Sequence, residues 1–399
     1  MISYFTKYIN SILFLFFLSY PIAIFFELDI LRNTIYCLLS VTVVSVIFLQ
    51  CKINRYVFIR MWIIFLGMFM LTLEGILNGF SRSTASEFVS LFMLFTLPIF
   101  FIILDENNFL NVEKTRKAII VMFFVYIALE LLLMFTYFDL PIPSSLVNIM
   151  QESYENTKHA TSLEQGFAAM LPRFTFVSDC YIPIIYFLYA WKKDKGLFLW
   201  GLILVLELLT FSRFRLAEFL VISLLLCLKK IFVSVYDLKK ILQIVFSGCV
   251  IFFLISQIDF HFIFDILDTR YFGGDATGSD KIRAFQFSQL WAYFLDNCLL
   301  GVGIGGYVSG YVAHRSLWLY ELGYLMFLMQ FGIVGFTFVY LNYLHMVICA
   351  TIKKVDRDMK FPLCVSFIFW AVEAGIQGGI IEGCNCGLLF CCIYVLAHR

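Results

Sequence analysis

Apolar residues run along this chain in blocks of about 20, from one end to the other, separated by short polar stretches. A block of that length is what an α-helix needs to cross about 30 Å of hydrocarbon at about 1.5 Å per residue. Twelve spans can be drawn, at 9–26, 34–50, 57–73, 87–104, 118–138, 176–191, 196–211, 215–228, 241–258, 319–347, 361–377 and 384–397. The pattern predicts an all-α, polytopic membrane protein of about 12 transmembrane helices, forming a single integral membrane domain over 1–399. The first run follows Lys7, is longer than a signal-peptide core and has no small-x-small cleavage site after it, so it reads as a retained span.

Composition agrees. Of 399 residues, 62% are apolar and 14% charged, against about 45–50% and about 25% in soluble domains, and mean hydropathy is +0.90. These values exclude a soluble enzyme, a nucleic-acid binder and a disordered chain. Twelve cysteines are present, most of them inside apolar runs and none in a CxxC pair. They read as small buried hydrophobes, with Cys384 and Cys386, near an outer loop, the ones suited to oxidation.

Net charge is only +1, and its distribution says more than its sum. With the N-terminus inside, the inner connections hold 19 basic residues and the outer ones 10. That bias predicts both termini in the cytoplasm, with large outer loops at 139–175 and 259–318. Of the inner bases 14 are lysine, whereas 8 of the outer 10 are arginine. Lysine snorkels and marks topology, while arginine offers a rigid fork for phosphate or carboxylate. The outer arginines therefore read either as an anion site or as partners of outer acids.

Four outer segments carry candidate chemistry. In Thr210-Phe-Ser-Arg213-Phe-Arg215, only 13 residues separate Arg215 from Lys229, a rise of about 20 Å. Either the lysines snorkel or the arginines sit beneath the outer surface, where charge is costly and usually functional. The alternative is a structural pair with Glu207 or Glu218. In 279–298, Ile282, Phe285, Leu290, Trp291 and Phe294 share one side at helical spacing, Ser279 or Asp280 can cap the start, and Lys281 and Arg283 lie in the first turn. This reads as an interface helix, with Arg270 just before it. Gly301-Val-Gly303-Ile-Gly305-Gly306 satisfies GxGxxG, but no strand or βαβ unit surrounds it, so it reads as a tight turn whose N–H groups can assist anion binding. Finally, His314-Arg315 precedes Glu321, which opens a span from the outer side and is placed for proton transfer. No outer cluster has metal-ligand spacing, so neither metal nor other cofactor is expected.

TFSRFR (210–215), SDKIRAFQFSQLWAYFLDNCLLGVGIGGY (279–307) and ELGYLMFLMQFGIVGF (321–336) together resemble the O-antigen polymerase (Wzy) and O-antigen ligase superfamily of bacterial inner-membrane proteins. The likeness covers roughly 200–340. It implies a GT-C-like architecture in the inner membrane and a glycosyltransferase that joins undecaprenyl-pyrophosphate-linked oligosaccharide repeat units at the periplasmic face. It also implies a polymerase rather than a ligase, because Glu321 stands where ligases carry histidine, 11 residues before Gly332. Arg213 and Arg283 match the arginines that hold the pyrophosphate, with Arg215, Arg270, Lys281 and Arg315 as further candidates. The base is Glu321, with His314 as its rival. Partners would be the lipid-linked oligosaccharide, membrane lipid and a chain-length regulator protein, with no nucleic acid. Asn297-Cys298 departs from the proline usual in the family. A ligase or a lipid-linked oligosaccharide flippase are the competing classes, although a flippase should show an internal repeat, which is not seen.

Overall fold

A computed structural model describes residues 2–25, 34, 36–41, 44, 53–137, 181–193, 197–210, 213–233, 274–309, 320–376 and 383–398. The long predicted loop 139–175, the predicted span 241–258 and most of the span 34–50 lie outside these residues. Among the described residues there are helices and no strand, apart from one isolated bridge between Val355 and His398.

The predicted spans that fall on described residues recur as helices: α1 (Ile2–Phe25), α2 (Arg55–Leu77), α3 (Ser81–Glu106), α4 (Val112–Tyr137), α5 (Tyr181–Lys193), α6 (Leu197–Thr210) and α7 (Arg213–Val233). The interface segment is α8 (Gly274–Asp296). The predicted span 319–347 is α9 (Gly323–Gly335), a π-turn (Phe336–Leu341) and α10 (Asn342–Lys354), followed by α11 (Lys360–Ile376) and α12 (Gly383–Ala397). Among the described residues three helices, Arg55–Leu77, Ser81–Glu106 and the composite Gly323–Lys354, are long and apolar enough to cross a membrane. Helix α7 has 21 residues, about 31 Å, so it runs on past Lys229 and is not the short segment its apolar run suggested.

Burial divides these helices into inner and outer shells. The apolar window of α3 is 78% buried, whereas that of α2 is 22% buried. On α2, Trp62, Leu66, Phe69, Met70 and Leu73 are exposed, a continuous apolar surface that water penalises and hydrocarbon tolerates. Helix α3 is the hub, and α12 packs along it so closely that a Cβ at Gly387 would stand 3.1 Å from the Met93 carbonyl. Tyr343 closes the same seam by donating to Leu94 O at 2.8 Å.

The connections predicted to share the inner side do meet at one end. Asp105, at the foot of α3, takes Tyr394 Oη at 2.6 Å, Lys354 Nζ at 3.0 Å and His398 Nε2 at 3.3 Å on one carboxylate oxygen. Arg116 and Lys192 donate to the His398 carbonyl at 2.7 and 3.1 Å. Trp191 donates to Asp358 O at 3.1 Å, and Asn10 to Phe109 O at 3.0 Å. The opposite end gathers the start of α7, the pair α8–α9 and the end of α11.

Candidate functional site

The last long predicted span is broken rather than continuous. Gly332 adopts φ 60°, ψ −177°, a region open essentially to glycine alone. The break costs the helix the bonds that Ile333 and Val334 N–H would make to the Met329 and Gln330 carbonyls. The segment after α8 replaces all four groups. Val302 N donates to Met329 O at 3.0 Å and Gly303 N to Gln330 O at 2.9 Å, while Ile333 N reaches Cys298 O at 2.9 Å and Val334 N reaches Leu299 O at 3.1 Å. Non-helical backbone at membrane depth is tolerated where protein surrounds it, and this segment supplies that surrounding.

The glycines are explained by the same wedge. Gly301, Gly303 and Gly305 all have positive φ, and a Cβ on Gly303 or Gly305 would fall 2.5 Å from the Cα of Gly75 or Thr84. The loop's N–H groups are consumed inside the protein: Ile304 N by Leu71 O, Gly305 N by Glu87 Oε2 and Gly306 N by Gly303 O. This corrects the expectation that they are available to an anion. The loop is a structural wedge between α2, α3 and α9.

Glu87 and Gln330 are residues that sequence reasoning missed. Glu87 marks the end of a predicted span, but α3 begins at Ser81, which places Glu87 two turns inside and fully buried. It accepts from Gly305 N at 2.5 Å and from Gln330 Nε2 at 3.1 Å, and Gln330 also donates to Gly306 O at 3.1 Å. Ser83 and Thr84 donate to the carbonyls of Gly305 and Ile304, each at 2.7 Å. The available signal was two polar residues set among apolar ones.

Of the predicted site residues, the fold brings Arg283 and Glu321 together. Arg283 Nε lies 2.9 Å from Glu321 Oε2, and the two side chains are 31% and 23% exposed. Helices α8 and α9 pack together, with the wedge joining their far ends. Near the pair, Glu321 N donates to Gln286 Oε1 at 3.0 Å. The apolar residues read as one side of α8 divide: Leu290 and Phe294 are buried with Gln286, while Ile282, Phe285 and Trp291 are exposed. The helix also begins at Gly274, so neither Ser279 nor Asp280 starts it. Lys281, two residues before Arg283, is exposed.

The two arginines of α7 are placed differently. Arg215 is 2% exposed and its Nε donates to Glu373 Oε1 of α11 at 3.1 Å. Glu207 and Glu218 are buried in the same cluster. Arg215 is therefore ion-paired inside the bundle with Glu373, a partner that local sequence did not suggest. Arg213 opens α7, and its side chain lies outside the described residues, as do Arg270, His314 and Arg315. Tyr324 Oη donates to Ala371 O at 2.7 Å and so ties the start of α9 to α11, the helix that carries Glu373. Among the described residues no group of three or more His, Cys, Asp or Glu is arranged to hold a metal ion.

No family model matches this chain, and no curated protein or solved structure does so either.

Proposed function

We propose that this protein is a membrane glycosyltransferase that polymerises undecaprenyl-pyrophosphate-linked oligosaccharide repeat units at the periplasmic face of a bacterial inner membrane. The observation that carries the reading is the partly exposed ion pair between Arg283 and Glu321. Polyprenyl pyrophosphate is a good leaving group, so the transfer needs charge neutralisation on the pyrophosphate and a base for the acceptor hydroxyl. A guanidinium and a carboxylate side by side supply both.

In the proposed reaction the acceptor hydroxyl attacks the anomeric carbon of the donor sugar. The bond from that carbon to the pyrophosphate breaks, the hydroxyl proton passes to Glu321, and the charge of the departing pyrophosphate falls on Arg283. In the resting pair each group neutralises the other. An arriving pyrophosphate carries more charge than one carboxylate and competes for the fork, which releases Glu321 to act as base. Arg213, at the head of α7, is the second arginine of the proposed site, and Arg215 holds that helix to α11.

Glu321→Gln tests the reading. It keeps size and hydrogen-bonding capacity but accepts no proton at neutral pH. Expressed in a strain lacking its own polymerase, the wild-type chain should build a polysaccharide ladder and the variant single repeat units, since losing a general base costs about 100- to 10,000-fold. A normal ladder from Glu321→Gln with none from His314→Ala would move the base to His314 and overturn the assignment.

A further inference from the structure

At the end of the bundle opposite this pair, α2 and α10 bring together a second group of charges that the proposed reaction does not use. Arg60 Nη1 donates to His345 Nδ1 at 2.8 Å and to Asn342 O at 3.3 Å. Tyr56 Oη lies 3.2 Å from the same ring nitrogen. An arginine only donates, so Nδ1 is the lone-pair nitrogen and the proton of the neutral ring sits on Nε2, 3.6 Å from Cys349 Sγ. The Arg60 guanidinium stacks over the Tyr56 ring at 4.3 Å, and Lys353 Nζ stands 5.6 Å from the same centroid. Two cations thus share one aromatic ring.

Neither cation has a carboxylate within ion-pair distance among the described residues. Nearby, Lys354 is paired with Asp105 at 3.0 Å, and Lys117 with Glu113 at 3.5 Å. Glu106 lies within electrostatic reach of Lys353 but forms no ion pair with it. From this group the exposed apolar side chains Ile59, Trp62, Ile63 and Leu66 of α2 continue along the helix, and Phe338 and Leu341 are exposed on the π-turn above α10. The two elements approach closely, since a Cβ on Gly67 would meet the Val339 side chain. Two cations without an ion-paired carboxylate, at the end of an apolar seam, match the charge and the acyl chains of one molecule.

We infer that Tyr56, Arg60, His345 and Lys353 form a binding site for an anionic phospholipid, with the head-group phosphate on Arg60 and Lys353 and the acyl chains along the α2–π-turn seam. A free phosphate shares the head-group chemistry but not the seam, and a zwitterionic lipid fits the seam but brings no net charge.

The full-length protein, purified in detergent, would be titrated with phosphatidylglycerol or phosphatidylcholine and the retained lipid counted by native mass spectrometry. A basic residue near an anionic lipid surface is worth about 1 kcal/mol, or about 5-fold each. Arg60→Gln/Lys353→Gln should therefore weaken phosphatidylglycerol retention about 30-fold. Lys117→Gln, which removes a charge already paired, should leave it unchanged. Equal retention of the two lipids by the wild-type protein, or less than a 2-fold loss in the double variant, would overturn the site. Displacement of the lipid by millimolar inorganic phosphate would overturn the lipid in favour of a soluble anion. Thermal melting of the double variant in detergent without lipid should match the wild type, and a collapse there would assign the cluster a structural role instead.

Discussion

Gly332→Ala is the most informative single change at the break in the last long span. The native φ of 60° with ψ −177° is open essentially to glycine, so an alanine held there carries about 1–3 kcal/mol of backbone strain. Its Cβ would also meet Leu299 O and lie 2.5 Å from Gly301 N. Those atoms are backbone and have no rotamer through which to yield. Relief requires the 298–303 segment to withdraw, and that surrenders the four bonds between it and residues 329–334, each worth about 1 kcal/mol net. The expected cost is about 5–7 kcal/mol by that reckoning, comparable to the entire stability of many domains, about 5–15 kcal/mol. Gly79→Ala is the control, because its φ is 85° but nothing lies within 4 Å of the added Cβ, leaving only about 1–2 kcal/mol of left-handed strain. Fluorescence-detected size-exclusion melting in detergent separates the two. Gly79→Ala should give a monodisperse peak with a slightly lower midpoint, and Gly332→Ala should give little folded protein. Equal midpoints would show that the 298–303 segment does not hold the broken helix together.

Two further variants probe the buried polar groups. Arg215→Met removes the guanidinium from a buried cluster that holds Glu373, Glu207 and Glu218, so it should destabilise by about 3–5 kcal/mol. Arg215→Met/Glu373→Met should recover only part of that loss, because two acids remain, and full recovery in the melting assay would show that Glu207 and Glu218 do not depend on the guanidinium. Glu87→Ala strips the Gly305 N–H and one of the two Gln330 amide N–H bonds of their acceptor and should cost about 3 kcal/mol, at about 1–3 kcal/mol for each stranded donor. Thr84→Val removes one hydroxyl donor from Ile304 O and should cost about 1 kcal/mol; a larger loss from Thr84→Val than from Glu87→Ala would displace Glu87 as the main clamp of the wedge.

The sequence by itself determined where most helices lie. Hydropathy is a property of each residue summed along the chain, and a helix facing hydrocarbon needs only an apolar surface of sufficient length, so runs such as 57–73, 118–138 and 384–397 translate directly into α2, α4 and α12. The bias in basic residues predicts the sides of the connections, and the contacts among Asp105, Lys354 and His398 bring three of those segments together at one end of the bundle. Arg283 and Glu321 were nominated separately from local pattern. Tertiary structure decided what depends on partners distant in sequence. The break at Gly332 is invisible to hydropathy, because a glycine inside an apolar run looks the same whether or not residues 298–303 arrive to replace its missing hydrogen bonds. Arg215 meets Glu373 of α11, 158 positions away, a pairing that no local pattern announces. By its pattern Glu87 is a terminal residue, but its donor, the Gly305 N–H, lies in a loop more than 200 positions away. A buried polar group is stable only beside the donors that satisfy it, and the folded chain alone specifies where those donors are.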